Sequence, residues 1–318
     1  MVKKHTLHIF STLLICTLCG LSVAQAKTNS VTNTKQQGSF LADTDNDQKQ
    51  QKQNGRTFFF PITAYEANYV LPFYYVFKPY YAIYQGNTTP GNQQVEHHEV
   101  KFQFSLAMLF WKNIFGYPLN LYGAYTQLSF WQTYASSAWF RETNYTPRVF
   151  LAYKINRTLI GALHLKCINI GGVHQSNGRG GNLERSWNRF YIEAVFSLHR
   201  LSFMISPWLA QHDKYYRIPS TNKHYNMKHY LGNGRFIAVY RIHGNTFAVQ
   251  THNTMDGFFK PISGQFTWSF PIPHVRNIKG YVQYFTGYGQ SLIEADHRTN
   301  AIGIGLALND INLENQCF

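Results

Sequence analysis

Apolar and polar residues alternate with period two along much of the chain. In KFQFSLAMLF (101–110) Phe102, Phe104, Leu106, Met108 and Phe110 are apolar, whereas Lys101, Gln103, Ser105 and Ala107 are polar or small. In AIGIGLAL (301–308) Ile302, Ile304, Leu306 and Leu308 alternate with Ala301, Gly303, Gly305 and Ala307. Successive side chains on a strand point to opposite faces, so the pattern predicts strands with one apolar face and one polar or small face. RFIAVYRI, GQFTWSFPI and GYVQYFTGY predict further strands, and HGNT and PIPHVRN predict turns.

The two ends of the chain set the setting of these strands. Lys3 and Lys4, a mostly apolar run from His8 to Val23 and the A-x-A of Ala24–Ala26 predict a secretory signal peptide over residues 1–26. The apolar run is short for a membrane span. Residues 27–57 are polar and lack apolar periodicity, which predicts a disordered periplasmic leader. Residues 58–318 read as one domain ending in an aromatic, Phe318. No later apolar run is long enough for a membrane helix. An exported chain with 17% Phe, Trp and Tyr therefore suggests a transmembrane β-barrel with aromatic girdles. A periplasmic β-sandwich or barrel is the alternative.

Charge and cysteine content narrow the partners. The formal charge of +14 becomes +12 once Lys3 and Lys4 leave with the signal peptide. A basic exported protein suits anionic headgroups or lipopolysaccharide. The basic residues are scattered and no nucleic-acid motif is present, which argues against nucleic acid. Cys16 and Cys19 belong to the signal peptide. Cys167 and Cys317 are too few for a disulfide framework and read as two unpaired thiols, with a single bridge as the alternative.

The chemistry lies in GGVHQSNGRGGNLERSWNRFYIEAVF (171–196). In its second strand Asn188, Phe190, Ile192, Ala194, Phe196 and Leu198 share the face expected to meet lipid. Arg189, Tyr191, Glu193 and Ser197 share the other, with Val195 the exception. In the preceding strand Ile168, Ile170, Gly172, His174 and Ser176 share a parity, so His174 and Ser176 are neighbours on one face. Antiparallel return of the chain can bring Asn188 beside His174. Ser176 Oγ is a weak nucleophile until a base such as His174 takes its proton. An amide at Asn188 can fix the imidazole tautomer, and the glycine-rich turn offers backbone N–H groups to an oxyanion. H-x-S alone is a cheap coincidence in a polar loop.

The longer pattern HQSNGR…RSWNR resembles the signature of outer membrane phospholipase A, the bacterial calcium-dependent phospholipase A1/A2 family. EVKFQFSLA, YTQLSFWQ, FRETNYTP, GYGQSLIE and GIGLALND resemble the same family in the same order, from about Ala64 onward. The resemblance implies a twelve-stranded antiparallel barrel with its active site on the outer surface near the outer leaflet. It implies Ser176 as nucleophile, His174 as general base, Asn188 orienting His174, and the Gly178 N–H in the oxyanion hole. It implies Ca²⁺ held by the carbonyl of Arg179 and, across a homodimer, by that of Ser137, with Ser136 the alternative alignment. The third ligand departs from the family, which has a serine where this chain has Glu184. A carboxylate also suits calcium, the alternative being that Glu184 points away toward Arg185. The family's weaker second calcium site maps to Gly181 and Asn226, which are not acidic, so its loss is expected. Gln127 matches the polar residue buried at the family's dimer interface, against a plain lumen or girdle glutamine. A porin and a catalytically idle barrel are the competing readings.

Overall fold

The computed structural model describes residues 61–84, 89–211, 215–217, 224–254 and 260–317. The predicted signal peptide, the predicted leader and the terminal Phe318 lie outside these residues. Among the described residues the strands, in chain order, are β1 (Ile62–Ala64), β2 (Asn68–Val76), β3 (His98–Trp111), β4 (Leu119–Gln132), β5 (Trp139–Ile160), β6 (Leu163–Ser176), β7 (Ser186–Leu198), β8 (Leu201–Gln211), β9 (Tyr215–Arg217), β10 (His224–Asn226), β11 (Gly234–Ile242), β12 (Asn245–Thr254), β13 (Lys260–Ile272), β14 (Val275–Gly287) and β15 (Thr299–Asn309).

Except for β1, β9 and β10, each strand pairs antiparallel with the next, and β15 pairs back onto β2. The ring is closed and has twelve staves. β1 pairs with β3 as β2 does, so β1 and β2 form one stave interrupted at residues 65–67. β9 and β10 make a separate hairpin. No described helix is long and apolar enough to cross a membrane, and closure removes the sheet edges that lipid would leave unsatisfied.

The two faces follow the sequence alternation. On β15 Ile302, Ile304, Leu306 and Leu308 are exposed, whereas Ala301 and Ala307 are buried. Gly303 shares the inward parity, and a side chain there would collide with the Tyr74 ring of β2. Paired charges cross the interior. Arg148 of β5 and Arg235 of β11 both reach Glu66, at 3.0 and 3.2 Å, and Arg235 also meets Glu193 of β7 at 3.0 Å. Arg141 bridges Glu99 and Glu294 at 2.8 and 2.6 Å. A porin would need an open lumen, but here side chains from facing walls are bonded across it. Buried charges of this kind persist only when paired, because removing one partner costs about 3–5 kcal/mol.

Five short connections lie at one end of the barrel: 112–118, 161–162, 199–200, 243–244 and 273–274. The longest connections, such as 77–97, 177–185 and 288–298, are all at the other end. Outer-membrane barrels place short turns in the periplasm and long loops outside, which fixes the orientation.

After β15 the chain turns back into the periplasmic end of the lumen. Lys279, Thr246 and Ser269 hold Asp310 Oδ2 at 2.6, 2.7 and 2.9 Å, and Asn169 Nδ2 donates to the Gln316 carbonyl at 3.1 Å. Cys317 and Cys167 form a disulfide with S–S 2.08 Å. This corrects the expectation of two unpaired thiols. Cys167 faces the lumen, and the tail folds inward and does not continue β15, so two residues 150 apart in sequence meet. The same tail explains Val195, the apolar exception on the inward face of β7. Val195 lies between Cys167 and Met204 in register and belongs to the same buried cluster as Leu313 and Cys317.

Candidate active site

β6 and β7 enter and leave the extracellular loop 177–185 as register partners. His174 stands opposite Asn188, and Ser176 opposite Ser186. The outward assignment of this parity holds on both strands: His174, Asn188, Phe190 and Ile192 are exposed, whereas Val173, Trp187, Tyr191 and Glu193 are buried. The polar pair thus sits at the extracellular margin of an apolar outer surface. His174 Nδ1 and Asn188 Oδ1 are 2.7 Å apart. If Nδ1 carries the proton, Nε2 is left as an acceptor for a hydroxyl proton. Ser176 lies two residues beyond His174 on the same outer face, partly exposed.

The loop that follows is shaped by Asn177, whose side chain is buried. Its Oδ1 accepts from the N–H groups of Arg179 and Arg185 at 3.3 and 2.9 Å, and its Nδ2 donates to the Leu183 carbonyl at 2.8 Å. Between Asn177 and Arg179, Gly178 adopts φ +65°, and a Cβ there would stand 2.9 Å from the Tyr145 ring. Glycine is required on both counts. No described hydrogen bond uses the Gly178 N–H or the Arg179 carbonyl. The Arg179 side chain instead reaches inward, with Nε 3.2 Å from Glu142 Oε2.

Glu142 is a residue for which the sequence suggested no role, although it lies in FRETNYTP. It is fully buried and also accepts from Asn144 Nδ2 at 2.8 Å, Asn177 Nδ2 at 3.4 Å and the Ile293 N–H at 3.1 Å. One carboxylate therefore ties the 177–185 loop to the 288–298 loop from inside the barrel. A buried acid in a strand of alternating polarity is the signal that could have found it.

The candidate calcium donors are hard oxygens, as that cation requires. Glu184 is half-buried, and its Oε1 accepts from Ser186 Oγ at 3.4 Å. Ser186 is the register partner of Ser176, so this carboxylate is drawn toward the candidate site. The Arg185 guanidinium turns inward to Tyr225 and bonds the Glu184 main-chain carbonyl at 2.7 Å. Ser137 lies in the exposed 133–138 loop, where its carbonyl accepts from Gln93 Nε2 and no described bond joins it to Arg179 or Glu184. Gly181 adopts φ +61°, and Asn226 caps the helix Met227–Leu231 through Lys228 N–H at 2.8 Å. Among the described residues no cluster of three His, Cys, Asp or Glu side chains is placed to hold a metal.

Gln127 is on the outer face of β4, which removes its reading as a lumen glutamine. It sits in a row that runs Phe104, Gln127, Tyr145, Ser176 across β3 to β6. Strands are spaced about 4.8 Å apart, so Gln127 is roughly 10 Å from Ser176. Its amide bonds Tyr125 Oη at 3.0 Å and Ser129 Oγ at 3.3 Å.

The model of the family described as Phospholipase A1 matches residues 44–308. A phospholipase A1 of Proteus vulgaris is 33% identical over 255 residues, covering 79% of this chain and 83% of the relative. A putative phospholipase A1 of Neisseria meningitidis is 32% identical over 262 residues, covering 79% of this chain and 66% of that longer relative. The solved outer membrane phospholipase A of Escherichia coli superposes with TM-score 0.70 at 26% identity, covering 80% of this chain and 94% of that one. The Salmonella typhi outer membrane phospholipase, solved as a dimer with bound calcium, gives TM-score 0.69 at 27% identity, covering 79% and 94%. A family match over most of the sequence and a shared twelve-stranded barrel lead to one conclusion: the chain belongs to the phospholipase A1 family, carboxylic ester hydrolases carried on a β-barrel of the Gram-negative outer membrane.

Proposed function

We propose that this protein is a calcium-dependent phospholipase A1/A2 that cleaves acyl esters of glycerophospholipids, and of lysophospholipids, and is activated by homodimerisation. The observation that carries this reading is the 2.7 Å contact between His174 Nδ1 and Asn188 Oδ1 on the lipid-facing surface, with Ser176 next on the same face. A polar constellation on that surface meets its substrate without leaving the membrane.

In the proposed reaction Asn188 holds His174 in the tautomer whose Nε2 faces Ser176. His174 takes the Ser176 proton as Oγ attacks the ester carbonyl, then returns it to the leaving alcohol. The free Gly178 N–H points to an oxyanion role. Water hydrolyses the acyl-serine in a second round through His174, releasing fatty acid. The carbonyl of Arg179, the carboxylate of Glu184 and the Ser137 carbonyl of a second copy would hold Ca²⁺. When bound, it supplies positive charge beside the developing oxyanion.

Dimerisation is supported by Gln127, a polar amide on the outer face two strands from Ser176. It keeps donor and acceptor capacity beyond its bonds to Tyr125 and Ser129 and could bond a second copy related by a two-fold axis. A relative solved as a calcium-bound dimer points the same way. The basic composition is suited to contact with anionic lipid and lipopolysaccharide. Purified protein in phospholipid–detergent micelles with Ca²⁺ is expected to release fatty acid, and Ser176→Ala to abolish that release. Full activity in the Ser176→Ala variant would refute the assignment.

A further inference from the structure

We propose that the periplasmic rim of the barrel is a docking ring for the anionic glycerophospholipid headgroups of the inner leaflet. The observation is a set of exposed cations at the barrel's short-turn end, whose turns hold no acid of their own. The five short turns contain no Asp or Glu, yet cations cluster in and beside them. Lys112, Lys154, Arg157, Arg200 and Arg276 are exposed there, Lys166 is half-buried, and His199, His243 and His274 are exposed at the turns themselves. The acidic residues that follow β15 are already engaged: Asp310 is bonded to Lys279 at 2.6 Å, and Glu314 accepts from Ser202 at 3.4 Å. Acids elsewhere among the described residues lie inside the lumen or in the long extracellular loops. Glu66, Glu99, Glu142, Glu193 and Glu294 face inward, and Glu184 and Asp296 belong to loops.

The neighbours of these cations decide the partner. Trp111, Phe115 and Tyr117 are exposed around Lys112, Tyr153 precedes Lys154, Leu198 precedes the turn that carries Arg200, and Val275 precedes Arg276. An aromatic belt with cations just beyond it is the arrangement expected at the level of lipid headgroups. A rim built to meet the peptidoglycan or a soluble protein would not need exposed Trp and Phe between its charges. Arg157, past a bulge and in register with Leu165 on the outer face, has a long stem whose apolar part can lie against the acyl boundary while the charge reaches phosphate. Lys154, in register with Cys167, stands exposed at the periplasmic mouth of the lumen. The ring does not depend on the catalytic assignment, only on the barrel's orientation.

The test uses nanodiscs of equal parts phosphatidylglycerol and phosphatidylcholine in ether-linked form, which an esterase does not cleave. Lipids retained on the intact barrel after transfer to detergent are counted by native mass spectrometry. The expected result is enrichment of phosphatidylglycerol, by about fivefold for each cation that engages, and its loss at high salt. Replacing Lys154, Arg157, Arg200 and Arg276 together by Gln is expected to return the retained lipid toward the bulk ratio. Charge-preserving exchanges at the same positions, such as Arg157→Lys and Lys154→Arg, are expected to keep the enrichment, and they serve as the folded control. Retention at the bulk ratio by the parent, or unchanged enrichment in the Gln variant, overturns the proposal. So does co-sedimentation with peptidoglycan sacculi that the Gln variant loses while lipid retention shows no preference.

Discussion

His174 and Asn188 are side chains that would be costly on a lipid-facing surface unless hydrogen-bonded, and each meets that requirement through the other. The same bond sets the role proposed for the imidazole. Glu184 stands where the resemblance to the family implies a serine ligand. Its carboxylate approaches Ser186, the register partner of Ser176, while Arg185 turns inward. A negative oxygen binds calcium more strongly than a hydroxyl. After EDTA stripping, Glu184→Ser is therefore expected to require more calcium than the parent for half-maximal lipid hydrolysis. Titrations that coincide would remove Glu184 from the calcium site.

At the scale of the element, the β6–β7 hairpin shows what was legible. Parity alone placed Asn188 outside, an antiparallel return allowed it beside His174, and the register puts the two opposite. The loop between them was not legible, because its shape comes from partners distant in sequence. Asn177 folds the loop onto itself, and Glu142, 37 residues before Arg179, anchors it from within the lumen. Glu142→Ala is expected to lower activity roughly tenfold or more, since loss of several buried hydrogen bonds costs on the order of 1–3 kcal/mol. Glu142→Gln still offers an acceptor to Ile293 and Asn144 and is expected to fall between Ala and the parent. Steady-state hydrolysis of micellar lipid by the three proteins checks this ordering, and an Ala variant as active as the parent would show that the loop stands unaided.

For the whole molecule, alternation predicted strands such as β3, β13, β14 and β15, and composition predicted a barrel. Strand number and closure came from family resemblance. The course of the chain after Asn309 was not legible: no periodicity marks a tail that folds inward, so the thiols read as unpaired. Val195 was the trace of that tail in the sequence, an apolar residue on an otherwise polar face. The Cys167–Cys317 bridge closes a long loop across the barrel. Reduction, or Cys317→Ser, is expected to cost about 2–5 kcal/mol and lower the thermal midpoint of the detergent-solubilised barrel. Equal midpoints for oxidised and reduced protein would show that the tail's polar contacts suffice.

The central claim is that the outward hairpin of a closed barrel carries an activated serine. Its most direct test is covalent labelling of the purified protein by a sulfonyl fluoride, with and without calcium, followed by peptide mapping. The account predicts a label confined to Ser176, faster with calcium and lost in His174→Ala. A label on another serine, or lipid hydrolysis that continues while Ser176 stays unmodified, would contradict it.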